Sequence, residues 1–148
     1  MAQFGRPSVD TYNSDGWTED DGTSTNMWDE INEASASDTD YIRSALAPSN
    51  DAYVTKLTTL EDPVSSSGHT VRWRWGKDAS GGATITGTVE LRQGYTNEGS
   101  QGTLIATCAN AETVPETFTD DSYALTGGEA DAITNYADLY LRFVANQA

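Results

Sequence analysis

Alternation of apolar and polar residues is cleanest in His69-Thr-Val-Arg-Trp-Arg-Trp75. There Val71, Trp73 and Trp75 share one side of an extended backbone and Thr70, Arg72 and Arg74 share the other. β-Branched and aromatic residues suit a pleated surface, so the pattern predicts a strand. Two indoles on one face need a covering layer, since each buries roughly 150–250 Å². Two guanidinium groups on the other face need water or partners. The reading is a central strand of a β-sandwich, with one face in the core and the other meeting solvent or a neighbouring subunit.

The same period of two recurs along the later chain. Tyr53 to Leu60 predicts a strand stopped by Asp62-Pro63, and residues 76–82 predict the loop of a hairpin leading to the next strand. Thr84 to Arg92 turns Ile85, Gly87, Val89 and Leu91 inward, and Asp138 to Val144 turns Leu139, Leu141 and Phe143 inward with Tyr140 and Arg142 outward. Between these lie an exposed loop from Gly94 to Gly102, a strand from Thr103 to Cys108, and a strand from Thr117 to Leu125 interrupted at Asp120-Asp121. Gly127 to Asn135 predicts a short helical crossing that drops Ile133 onto the core. Short strands at this spacing indicate an all-β, antiparallel two-sheet sandwich of jelly-roll type over residues 37–148.

Residues 1–36 have a different texture. In 1–26 single apolar residues (Phe4, Val9, Tyr12, Trp17) stand in Ser, Thr, Asp, Asn and Gly, matching neither a strand nor a helix. A mobile terminus and an extended arm anchored by its aromatics compete; Trp17 and Trp28 favour the arm, held on its own sandwich or on an adjacent subunit. Asn26-Met-Trp-Asp-Glu-Ile31 predicts a helical turn capped by Asn26, with Trp28 and Ile31 on one side. Tyr41-Ile-Arg-Ser44 predicts a short strand, and Ala47 to Asp51 a turn.

Composition narrows the function classes. A net charge of −15 repels phosphate backbones and anionic headgroups, so nucleic acid and membrane surfaces are poor partners. Residues 1–51 hold 11 of the 23 carboxylates against only Arg6 and Arg43. No apolar run approaches the roughly 20 residues of a membrane span, and the N-terminus lacks the apolar segment of a secretory signal, so a soluble protein made in a cytoplasm is expected. The lone Cys108 reads as a small buried hydrophobe.

Candidate chemistry is sparse. The only histidine, His69, opens a strand with no nucleophile elbow, phosphate-cradling loop or His/Cys cluster to join it, so no enzyme and no cofactor are expected. Asp20-Asp21, Asp38-Thr-Asp40 and Asp120-Asp121 read as solvated turns, with calcium a minor alternative. Arg72, Arg74 and Arg142 would form a positive stripe if their strands share a sheet. The stripe would either pair with local acids such as Glu90 or dock the acidic arm of a neighbour.

Several phrases occur together: Arg6-Pro7, Gly16-Trp17-Thr18, Trp28-Asp-Glu-Ile31, Asp38-Thr-Asp-Tyr-Ile42, Asp62-Pro63, His69-Thr-Val-Arg72, Gln93-Gly94, and Glu129-Ala-Asp-Ala-Ile133 through Asp138-Leu-Tyr-Leu-Arg-Phe143. The ensemble, covering most of the chain, resembles small structural proteins of tailed bacteriophages. These motifs are packing and turn signatures. The resemblance implies a jelly-roll domain displayed on a virion with no enzymatic residues. The expectation is a decoration or cement protein on the outer capsid, bound to the major capsid protein and to copies of itself. Its expected interface residues are Phe4, Arg6, Trp17, Trp28, Arg72, Arg74 and Arg142. A rival is a glycan-binding module of a tail or fibre, with Tyr95 or Tyr140 stacking on sugar.

Overall fold

The computed structural model describes residues 2–14 and 16–148. In chain order the elements are β1 (Pro7–Asn13), β2 (Thr18–Glu19), a 3-10 turn (Met27–Ile31), β3 (Ile42–Arg43), β4 (Ser49–Leu57), β5 (Thr70–Trp75), β6 (Ile85–Gln93), β7 (Thr103–Thr113), β8 (Thr119–Ala124), α1 (Gly127–Asp131) and β9 (Leu139–Gln147). Five strands form one antiparallel sheet in the order β1-β4-β9-β6-β7, while β5 pairs with β8 and β2 with β3. The chain is therefore an all-β antiparallel sandwich, as its periodicity predicts. A jelly roll arranges eight strands as two Greek keys; the division here is five, two and two.

One face of the large sheet carries the core. Val89 lies opposite Phe143, and Leu91 opposite Leu141 on one side and Ala106 on the other. The β5–β8 ribbon lies on this face, with Val71, Leu125 and the partly buried Trp73, Trp75 and Tyr123 packed on Val89, Leu91, Ile105 and Leu141. Trp73 and Trp75 meet edge to face, ring centroids 5.6 Å apart, a favoured geometry for their quadrupoles. Ile133 is buried beside α1 as expected, and Thr126 and Glu129 form a reciprocal capping box at that helix.

Several expectations are corrected. The tryptophan strand is not central: among the described residues β5 pairs with β8 alone, so the indoles are half-buried beneath a narrow ribbon. Residues 76–82 do not close a hairpin onto β6. The Lys77 ammonium donates to the Gly81 and Ala83 carbonyls and pairs with Glu116, carrying the chain from the ribbon to the large sheet. β8 runs through Asp120-Asp121 without a break, because Asp120 stands opposite Arg74 across the strand pair and answers its charge. Of the turn expected at Ala47 to Asp51, the chain bends at Ala47, and Ser49 to Asp51 already belong to β4.

The N-terminal stretch departs most. Residues 7–13 are the edge strand of the large sheet, in register with β4 except at two bulges. Each bulge shifts the side-chain alternation by one residue, which erases the period of two from the sequence. The arm is thus anchored on its own sandwich. The following 3-10 turn is not capped by Asn26, which sits at φ 62 with no side-chain cap. The Asp10 carboxylate reaches from β1 instead, accepting from the Met27 and Trp28 amides at 2.9 and 2.8 Å.

Gly87 tests how closely the ribbon sits. A Cβ there would lie 2.7 Å from Trp75 Cζ3 and 3.2 Å from Val114 Cγ2. Gly87→Ala must therefore push the indole off the sheet, and a loss of about 1–3 kcal/mol is expected, read from the urea midpoint. An unchanged midpoint would mean the ribbon is loosely seated.

Candidate functional site

The residues expected at an interface do not gather into one patch. Phe4 is 64% exposed, with the Arg6 guanidinium 5.6 Å from its ring centroid. That guanidinium also donates to the Asn32 and Glu33 carbonyls, tying the first residues to the end of the 3-10 turn. Trp17 is half-buried; its indole N–H donates to the Asp51 carbonyl at 3.0 Å and its ring tilts against Tyr53 at 6.2 Å. Trp28 is half-buried over β1, held by Asp10. Trp17 thus anchors the N-terminal segment through its indole, and the turn carrying Trp28 is tied to β1 through its backbone amides.

The positive stripe does not form. β5 and β9 belong to different sheets, so Arg72 and Arg74 stand on the ribbon while Arg142 stands on the far face of the large sheet. Arg72 is exposed and makes no ion pair among the described residues. Arg74 forks onto Asp38 at 2.6 and 2.9 Å and onto Asp120 at 3.0 Å, with Phe118 5.9 Å beneath it. The Arg74 hydrogen bonds hold the Asp38 carboxyl below its ordinary range. So two of the aspartate pairs read as solvated turns supply a structural clasp between residues 37–40 and the ribbon. Among the described residues, no group of three or more His, Cys, Asp or Glu is arranged to hold a metal.

Arg142 leads to a feature that periodicity misses. On the outer face of the large sheet it forks onto Glu98 at 3.0 and 2.8 Å and reaches Glu90 at 3.2 Å. Glu90 also takes the Arg92 Nε–H at 2.8 Å. Side chains of Arg142, Glu90 and Glu98 are 14%, 13% and 29% exposed, so this chain of charges is largely withdrawn from water. The loop from Gly94 to Gly102, expected to be exposed, folds back over this face. Gly102 makes that path available: its φ is +65 and the Gln93 carbonyl occupies the place of a side chain.

Within the loop Tyr95 is 2% exposed, donates to Glu98 at 2.8 Å and packs on Tyr140 with Val54 and Tyr12 beside it. Burial, with the Asp138 carboxylate accepting from its hydroxyl, pushes the Tyr140 phenol up to about 12. Neither tyrosine is the exposed stacking platform expected of a glycan site. Glu90-x-Arg92, two residues apart and so on one face, was the available sequence signal. The arrival of Glu98 from a loop carries none.

His69 and Cys108 have structural settings. His69 Nε2 lies 2.8 Å from the Tyr136 hydroxyl, joining the start of β5 to the segment before β9. Cys108 is buried, and burial pushes its thiol up to about 12, away from thiolate chemistry at neutral pH. None of the described helices is long and apolar enough to cross a membrane. Comparison with protein-family models found no match, and searches of curated proteins and of solved structures found none either.

Proposed function

We propose that this chain is a virion structural protein of a tailed bacteriophage, a decoration or cement protein on the head exterior. It would bind the major capsid protein and further copies of itself. The sandwich is the displayed body and the N-terminal segment the attachment. The observation that supports this reading is the exposure of Phe4 and Val9 on the first strand and its lead-in, beside the half-buried Trp17 and Trp28 of the same segment. A partner seated on this edge would remove both apolar side chains from water. Phe4, Arg6 and Arg72 are the interface residues this reading retains, because Arg74 and Arg142 spend their charge within the chain.

The work of such a protein is mechanical. Each copy adds a small interface between adjacent capsomers, and repetition over a shell turns weak contacts into strong retention. Particles lacking the protein should release their DNA at a lower temperature than complete particles, measured by dye access during a thermal ramp. Equal release temperatures would remove the cementing role, and an image placing the protein on the tail would remove the head assignment.

A further inference from the structure

We propose that residues 94–102 form a hinged strap, latched by the Glu98 carboxylate, that swings away as a unit and uncovers an aromatic strip on the outer face of the large sheet. The two ends of the strap touch: a Cβ at Gly102 would lie 2.6 Å from the Gly94 carbonyl carbon. Both end residues are glycines at positive φ, +73 and +65, where they rotate with least hindrance. Between them Asn97 and Ser100 exchange backbone hydrogen bonds, and the Thr96 amide donates to the Ser100 carbonyl. The strap is thus a loop closed at its ends and braced within, of the Ω type.

Its ties to the rest of the chain are few. Among the described residues, the hydrogen bonds that cross from residues 95–101 to other elements come from two arginines. Arg142 forks onto Glu98 at 3.0 and 2.8 Å, and Arg92 donates to the Gln101 carbonyl at 3.3 Å. Tyr95 and Gln101 also donate to Glu98, so one carboxylate collects four hydrogen bonds. Tyr95 is the strap's buried side chain, and it packs on Val54 and Tyr140 in a cluster separate from the main core. Opening disturbs that small cluster and leaves the ribbon and its core in place, as a local opening does.

The latch is electrostatic. Around it stand Arg142 and Tyr140 of β9, Glu90 and Arg92 of β6, Tyr12 of β1, and Lys56 of β4, whose ammonium lies over the Tyr140 ring. Hydrogen bonds from Arg142 chiefly, and from Tyr95, lower the Glu98 carboxyl against the opposing effect of burial. Glu98 is therefore charged at neutral pH, and the latch is released as pH falls through the lowered value. This device belongs to the chain whether or not it sits on a virion.

Thiol access tests it. Val54 is fully buried against Tyr95, so the thiol of Val54→Cys reacts when the strap lifts, whereas the native Cys108 reports on opening of the main core. The probe is dithiodipyridine, with each rate divided by that of the unfolded chain at the same pH. At neutral pH the introduced thiol should react at least about tenfold faster than Cys108, because a local opening costs less than a global one. Adding Glu98→Gln should speed it roughly tenfold more, the scale of a lost charged hydrogen bond, and leave the Cys108 rate unchanged. In Val54→Cys by itself, acidifying to about pH 4 should also raise the ratio of the two rates, which decides the matter where the double variant does not fold. Equal rates for the two thiols, or equal acceleration of both by Glu98→Gln or by acid, would overturn the proposal.

Discussion

Replacing Asp10 by alanine should cost about 3–5 kcal/mol and lower the melting temperature by roughly 10 °C, at constant fold by circular dichroism. One carboxylate on β1 accepts three hydrogen bonds: from the Met27 amide, from the Trp28 amide, and from the Tyr53 hydroxyl at 2.6 Å. Tyr53 is fully buried, so its hydroxyl has no water to turn to when the carboxylate is gone. A buried donor left without a partner costs about 1–3 kcal/mol. The two amides belong to the first turn of a 3-10 helix whose own N-terminal residue supplies no cap. Asp10→Asn keeps an acceptor in place and should lose less than half as much. Tyr53→Phe, which removes the donor along with its need, should cost about 1 kcal/mol. A loss below 1 kcal/mol for Asp10→Ala would show that the N-terminal segment is held by packing alone.

Arg142→Ala should also be damaging, at about 2–3 kcal/mol, because it leaves the half-buried Glu98 without a cation and takes one of two from Glu90. Glu90 would keep Arg92, whereas Glu98 would keep only the neutral donors Tyr95 and Gln101. The acid dependence should change as well. Arg142 hydrogen bonds chiefly, then that of Tyr95, lower the Glu98 carboxyl below its ordinary value. A carboxyl lowered in the folded state binds fewer protons there than in the unfolded chain, so its contribution is fully present above the ordinary carboxylate range. It is lost as pH falls through the lowered folded value. The native protein should therefore lose stability steeply on the acid side of that range. Arg142→Ala, already lacking the contribution, should lose less there. Parallel curves for the two proteins from neutral to acid pH would separate Glu98 from the acid transition.

The residues in these two experiments mark where local pattern stopped being informative. β6 and β9 were readable because each keeps a strict period of two, with Val89, Leu91, Leu139 and Leu141 on one side and a single register between the two strands. β1 was not readable because two bulges against β4 break that period. Asp120-Asp121 looked like an interruption because the sequence shows two acids but not the arginine across the pair. Among the interface candidates, Phe4 is exposed, while the Trp17 indole donates to the Asp51 carbonyl and the Trp28 backbone amide to Asp10.

Periodicity, β-propensity and turn residues are properties of neighbouring positions, and they sufficed for the all-β class, most strands and the inward faces of the later ones. Sheet partnership is a property of positions far apart. β5 could have lain beside β6 by hydrophobic pattern alone, and only the closed packing of the whole chain pairs it with β8. The same holds for charge. Arg142 lies 44 residues from Glu98 and 52 from Glu90, and no local rule says which of an acidic chain's many carboxylates will meet a given guanidinium. That choice follows from which loops fold back over which sheet face, where desolvation makes an unpaired charge too costly to leave.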